Sequence, residues 1–268
     1  MFNPVDDPGP SFHALLGKVG IDTTSSALGN PSNGANADHL KVPHGTTVVA
    51  ARYADGVVIA GDRRATSGNL IAHRSMDKVF AADKWSAVAI AGAAGPAMEM
   101  VKLFQLQLQH YEKVEGHSLS LEGKANQLSG MLRSNLPAAM QGMVVVPIFA
   151  GFDRRRALGR LFAYDVTGGR YEEHDHVASG SGSLFARTVI KLGHSPTNSY
   201  DAAVDLMIKA LFNAADDDSA TGGPDSMRGI FPMVSTITAD GYNEVASDEI
   251  ATRFDALVSA QGEGATSK

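Results

Sequence analysis

The stretch from Thr46 to Thr66, TTVVAARYADGVVIAGDRRAT, dictates how this chain must begin to fold. Two runs rich in β-branched residues flank an Ala54-Asp55-Gly56 turn, and that pattern specifies a pair of strands rather than a helix. The second run ends at Gly61-Asp62-Arg63-Arg64, which puts Asp62 at the tip of the hairpin. Immediately before the first run lies a small flexible joint, His44-Gly45-Thr46. If the bond after Gly45 is cut, Thr46 becomes a terminus carrying a hydroxyl and a free amine. The hydroxyl can attack a carbonyl, and an α-amine of pKa about 7.7–8.0 can take its proton near neutral pH, directly or through a water. Before the cut that nitrogen is an amide and no base.

The first 45 residues are a different material. They hold five of the eleven prolines, six glycines, a Ser/Asn-rich run from Thr23 to Asn36, and one short apolar patch, Phe12 to Leu16. A secretory signal needs a basic start and a longer apolar core, whereas this start is acidic through Asp6 and Asp7. Such a composition alone reads as a disordered tail; Gly45-Thr46 at its boundary makes residues 1–45 a removable propeptide and 46–268 the catalytic domain, with a short flexible C-terminal tail.

Downstream, Ser67-Gly68-Asn69 makes a turn and Arg74-Ser75-Met76-Asp77-Lys78-Val79-Phe80 follows. Apolar residues after Lys78 let it point inward, where an ammonium needs a carboxylate partner to stay charged; taken alone, such a pair is as readily structural as catalytic. The order Thr46, Asp62, Lys78, with Gly-Asp-Arg-Arg-Ala-Thr and the later Ala214-Ala215-Asp216-Asp217-Asp218-Ser219-Ala220-Thr221-Gly222-Gly223, resembles the β subunit of the 20S proteasome, of the actinobacterial kind, over essentially all of 46–268.

The resemblance implies a threonine endopeptidase of the N-terminal-nucleophile class, without a cofactor or metal, matured by autocatalytic cleavage between Gly45 and Thr46. It implies Thr46 as nucleophile, Lys78 held by Asp62 as electrostatic support for the alkoxide, and the Gly92 backbone N–H as oxyanion donor. Ser181 and Asp218 would orient amine and water, with Thr221 in place of the family's usual serine. A pocket of Ala65, Met76, Phe80, Ile90, Ala94 and Met98, with Thr66 and Ala94 pairing with an extended peptide, would favour large apolar residues before the cut. Implied partners are α subunits and other β subunits in stacked rings of seven, an ATPase ring acting indirectly, and unfolded protein substrates. The helices expected at 96–113 and 119–141 would offer Leu103, Leu106, Met131 and Met140 as contact surface.

The remaining pattern reads as an α+β, four-layer αββα sandwich: two stacked antiparallel sheets flanked by helices. Further strands are expected near 77–82, 85–91, 143–152, 159–165, 170–178 and as a pair within 229–246. Helices are expected at 96–113 and 119–141, where apolar residues recur at three and four, and at 183–193, 199–215 and 247–260.

Other signals exclude or mislead. Among 268 residues there is no cysteine, which rules out a disulfide scaffold and a cysteine nucleophile. A formal charge of -6 offers no footprint for nucleic acid, and no apolar run is long enough to span a membrane; a cytoplasmic chain is expected. Glu172-Glu173-His174-Asp175-His176 looks like metal ligands, with His174 and His176 on one face of a strand, yet a solvated strand face is the commoner origin. Ser179-Gly180-Ser181-Gly182-Ser183 lacks the ending of a phosphate loop and the spacing of a serine-hydrolase elbow. The peptidase of the bacterial two-component ATP-dependent protease also opens Thr-Thr, but resembles a shorter chain and usually shows Gly-Gln where Arg63-Arg64 stand. A small-molecule amidase would need a polar pocket, and a non-catalytic ring subunit would not need the whole set Thr46, Asp62, Lys78 and Asp218.

Overall fold

The computed structural model describes residues 45–266; the rest of the expected propeptide, residues 1–44, including the Phe12 to Leu16 patch, lies outside them. The hairpin forms β1 (Thr47–Tyr53) and β2 (Gly56–Gly61), paired antiparallel with Val48 opposite Gly61 and Tyr53 opposite Gly56. This register puts Asp62 at the open end of the hairpin, beside Thr47, and not at its tip. The turn is two residues long, so the chain ends that leave the turn region must return to the level of Thr47 before Asp62 is reached.

Beyond it, β3 (Ala65–Ser67) and β4 (Leu70–His73) make a separate small hairpin around the expected Ser67-Gly68-Asn69 turn. The chain then enters β5 (Val79–Asp83) and β6 (Ser86–Ala89). Helices α1 (Ala94–Glu115) and α2 (Leu121–Ser134) follow, α1 closed by Gly116 in the left-handed region and α2 opened by the Ser120 hydroxyl, which accepts from Gly123 N–H. The helix expected to run to 141 ends at Asn135 and restarts as the short α3 (Leu136–Ala139), with Pro137 in its first turn; a proline there cannot continue the preceding helix. The strand expected from 143 starts only at β7 (Ile148–Asp153), Val145 upstream forming an isolated bridge with Gly92.

The expected strand 170–178 is two strands. After β8 (Leu158–Tyr164), β9 (Arg170–Glu173) pairs with β8, whereas β10 (His176–Gly180) pairs with β1 in the other sheet. The chain crosses between sheets at His174-Asp175, so His174 and His176 do not share a strand face; the His176 ring packs instead on His194, 5.6 Å between centroids. The remaining elements are α4 (Ser183–Gly193), α5 (Tyr200–Asp217), β11 (Met233–Thr238), β12 (Gly241–Glu244) and α6 (Ser247–Thr266). The last of these continues past the expected end at 260.

One sheet has the order β10-β1-β2-β11-β12 and the other β5-β6-β7-β8-β9, all antiparallel. Strand periodicity builds three cores from them. Val48, Ala50, Val57 and Ile59 meet Ala87, Ala89, Ile148, Ala150 and Leu161 between the sheets. The alternate residues Val49, Ala51, Val58 and Ala60 pack outward on Ile190, Val204, Met207, Leu211 and Phe254 of α4, α5 and α6. On the far side Val88, Phe149 and Phe162 pack on Val101, Phe104, Leu128 and Leu132 of α1 and α2. The result is the expected αββα sandwich, with β1 and β2 buried on both faces.

The sheets come closest at Gly159 in β8. A Cβ there would lie 2.5 Å from the Gly56 carbonyl carbon and 2.6 Å from Val57 Cγ1, both in the opposing sheet. Gly159→Ala is therefore expected to force the sheets apart and destabilise the fold by about 1–3 kcal/mol, measured as a lower urea midpoint; an unchanged midpoint would show that the sheets part without cost.

Candidate active site

Three chain segments end at one edge of the sandwich and converge on the Asp62 carboxylate. Asp62 follows β2 and has no solvent exposure. Its Oδ1 accepts from the Thr47 N–H at 2.7 Å and from Lys78 Nζ at 2.6 Å, and its Oδ2 accepts from the N–H groups of Arg64 and Gly222, each at 2.8 Å. Lys78, from the segment entering β5 in the other sheet, is 1% exposed and donates also to the Arg64 carbonyl. Burial pushes the Lys78 ammonium below the ordinary lysine range; the charge and hydrogen bond of Asp62 oppose this, and the nearby Arg64 charge adds to it.

A second carboxylate lies at the end of α5. Asp218 Oδ2 accepts from Ser181 Oγ and from Thr221 Oγ1, both at 2.6 Å, and its Oδ1 from Ala220 N–H at 3.2 Å. Burial works against its charge, but the hydrogen bonds from Ser181, Thr221 and Ala220 prevail and hold it below the usual carboxylate range. Ser181, where β10 turns into α4, donates its backbone N–H to the Thr46 carbonyl at 2.9 Å. The serine-glycine run is thus the strand-to-helix turn beside Thr46.

Thr46 is 5% exposed. It lines a recess together with Gly45, Lys78 and Gly92, walled by Ala65, Met76, Ile90 and Ala94. Gly92 sits at φ 108°, and a Cβ on it would meet the Val144 carbonyl oxygen at 2.1 Å, so only glycine holds the backbone in this course beside Thr46. Gly45 is also tightly held: a Cβ there would lie 2.3 Å from Thr66 Oγ1 and 2.6 Å from Ala220 Cβ.

The structure therefore brings together Gly45, Thr46, Asp62, Lys78 and Gly92, and beside them Ser181, Asp218 and Thr221. Of the expected pocket, Ala65, Met76, Ile90 and Ala94 line the recess, and Thr66 flanks Gly45. Phe80 and Met98 instead pack partly buried against the core beneath α1 and α2. Sequence reasoning missed Thr47, Arg64 and Gly222. Arg64 offers its N–H to Asp62, its carbonyl to Lys78 and its guanidinium, at 2.9 Å, to the Ser219 carbonyl. The doubled threonine at 46–47 was the available signal for Thr47; backbone groups such as those of Arg64 and Gly222 leave none.

Two antiparallel sheets between helical layers, with a threonine at the mouth of the first strand against a buried lysine–carboxylate pair, define a protein of the N-terminal-nucleophile hydrolase fold. Residues 42–228 match the family model described as proteasome subunit, and the chain belongs to that family. It is 54% identical over 265 residues to a proteasome subunit beta of Acidimicrobium ferrooxidans, covering 98% of this chain and 95% of that protein. It is 60% identical over 210 residues to a proteasome subunit beta of Streptomyces griseus, covering 78% and 75% of the two.

The two members of the buried pair differ in how well each survives alone. Without Lys78, Asp62 keeps three N–H donors; without Asp62, a buried ammonium keeps one carbonyl. Lys78→Ala is expected to fold with a near-native urea midpoint, whereas Asp62→Ala loses about 3–5 kcal/mol. Equal losses in the two variants would contradict this ordering.

Proposed function

We propose that this chain is a peptidase subunit of a 20S proteasome core, a threonine endopeptidase switched on by cleavage between Gly45 and Thr46. The observation that carries the proposal is the grouping of Gly45, Thr46, Lys78 and Gly92 around one recess, with Lys78 paired to a fully buried Asp62.

In maturation, Thr46 Oγ attacks the Gly45 carbonyl carbon; the C–N bond breaks as the new C–O ester forms, and the released nitrogen becomes the α-amine. Water then hydrolyses the ester, and the leader departs with a Gly45 carboxylate. In turnover, the Oγ proton passes to the amine, directly or through a water, as Oγ attacks the scissile carbonyl. The oxyanion forms against the Gly92 N–H, preorganised by the fixed backbone. The intermediate collapses to a Thr46 ester, the leaving amine takes the proton, and water releases the second product. Lys78 supports the developing negative charge, and its lowered pKa narrows the gap to the amine, which favours proton sharing between the two nitrogens. Ser181 and Asp218, bound to the Thr46 main chain and to each other, would orient the amine and the hydrolytic water.

The recess walls Ala65, Met76, Ile90 and Ala94 carry no charge, which supports preference for large apolar residues before the cut, each buried methylene contributing about 0.8 kcal/mol. Proteasome subunits assemble into rings with other subunits. On α1, Leu103 and Leu106 are 48% and 60% exposed, and Met140 after α3 is 77% exposed; Met131 turns inward and packs against the helical core. The exposed three support docking on α subunits, within stacked rings of seven that admit unfolded substrates delivered by an ATPase ring. Among the described residues no helix is long and apolar enough to cross a membrane, and we place the particle in the cytoplasm.

Coexpressed with its α subunit, the chain is expected to yield a mature form beginning at Thr46, read by intact mass, while Thr46→Ala keeps the leader. A stable product starting elsewhere, or normal cleavage in Thr46→Ala, would overturn the proposal. With the mature particle, fluorogenic peptides differing only before the cut are expected to be cleaved faster after leucine or phenylalanine than after arginine; equal rates would refute the apolar pocket.

A further inference from the structure

Thr47 opens β1 with no solvent exposure, a place where valine would serve strand formation equally well. Its hydroxyl is nonetheless fully used. The Gly182 N–H donates to Thr47 Oγ1 at 2.9 Å, and Thr47 Oγ1 lies 2.6 Å from Thr221 Oγ1. Thr221 Oγ1 in turn donates to Asp218 Oδ2 at 2.6 Å, the oxygen that also accepts from Ser181 Oγ.

Counting protons gives this series a direction. A backbone nitrogen only donates, and an ionised carboxylate only accepts. The single proton of Thr221 is committed to Asp218, so the proton between the two threonines belongs to Thr47. Gly182 N–H, Thr47 O–H and Thr221 O–H therefore point one way, toward Asp218. Gly182 packs so closely here that a Cβ on it would lie 2.6 Å from both threonine oxygens. The main chain of Thr47 is tied just as firmly to the other carboxylate: its N–H donates to Asp62 Oδ1 at 2.7 Å, and its carbonyl accepts from Asp62 N–H at 3.0 Å. One residue, covalently next to Thr46, is bonded directly to Asp62 and through Thr221 to Asp218.

We propose that Thr47 is a positioning residue for the peptidase reaction, its hydroxyl fixing Asp218 and Ser181 in place beside Thr46 by way of Thr221. The inference rests on the reading of Thr46 as nucleophile. Thr47→Val keeps the shape and removes the hydroxyl, leaving Thr221 and the Gly182 N–H without this partner; Thr47→Ser keeps the hydroxyl.

The test uses particles assembled with the α subunit and a fluorogenic apolar peptide. Thr47→Val is expected to lower kcat on the order of tenfold to a hundredfold, as displacement of a positioned group does, with KM little changed and leader removal slowed. The acid limb of its kcat profile moves to higher pH, because Asp218 loses a polarised donor and protonates sooner on acidification. Thr47→Ser restores both kcat and the acid limb. Wild-type kcat and pH profile in Thr47→Val, or equal losses in both variants, overturn the inference. If Thr47→Val fails to assemble, Thr221→Val cuts the same series one link nearer Asp218 and is expected to show the same shift; an unmoved profile overturns the inference. Failure of both valine variants to assemble beside a normal Thr47→Ser makes the series structural and overturns it too. An inactive wild-type particle defeats the reading of Thr46 itself, whereas an active one with an unaltered Thr47→Val defeats only this inference.

Discussion

Everything at the working end of this molecule hangs on one buried anion. The Asp62 carboxylate receives four donors, from the start of β1, from the Arg64 turn after β2, from the Gly222 loop after α5, and from Lys78 in the opposite sheet. An ion without exposure to water is tolerated only when its acceptor capacity is filled, so these four segments are held to a common centre by the cost of leaving any of them unpaired. The lysine needs the anion equally, since burial alone drives its charge off. The electrostatics of the site and the convergence of its loops are therefore one fact and not two.

Where side-chain period and turn chemistry decide structure locally, the sequence was readable. The β1–β2 hairpin follows from β-branched runs around Asp55-Gly56, and α1 and α2 follow from Val101, Phe104, Leu108 and Leu121, Leu128, Leu132. The misreadings have tertiary causes. Arg170–Glu173 and His176–Gly180 look alike as strand formers, and only their partners, β8 for one and β1 for the other, reveal the crossing between sheets. Asp62 was misplaced at the hairpin tip because a run of residues gives its end but not the register that folds that end back beside Thr47.

The site was legible to different depths. Thr46, Asp62 and Lys78 declare themselves through residue type: a nucleophile at a joint, and an inward charge needing its opposite. Ser181, Asp218 and Gly92 came only with the family resemblance, since no spacing rule joins positions so far apart in the chain. Phe80 and Met98 are apolar neighbours of the recess in sequence terms, yet the strand and helix carrying them direct them into the core beneath α1 and α2. Thr47 was hidden by its success as a strand residue, because β-propensity fully explains a threonine that also has a polar task.

The crossing of the chain at His174-Asp175 has a consequence for timing. Thr46, Asp62 and Ser181 belong to the sheet of β1, and Lys78 and Gly92 to the sheet of β6, while Asp218 and Gly222 arrive from a loop encoded late in the chain. Neither sheet by itself holds a working set, and a chain emerging from synthesis lacks its last contributors until residue 222 is in place. The nucleophile is thus dormant in every partly folded form, and its arming reports that the whole domain has closed, a built-in inspection of finished tertiary structure by the molecule that it would otherwise endanger.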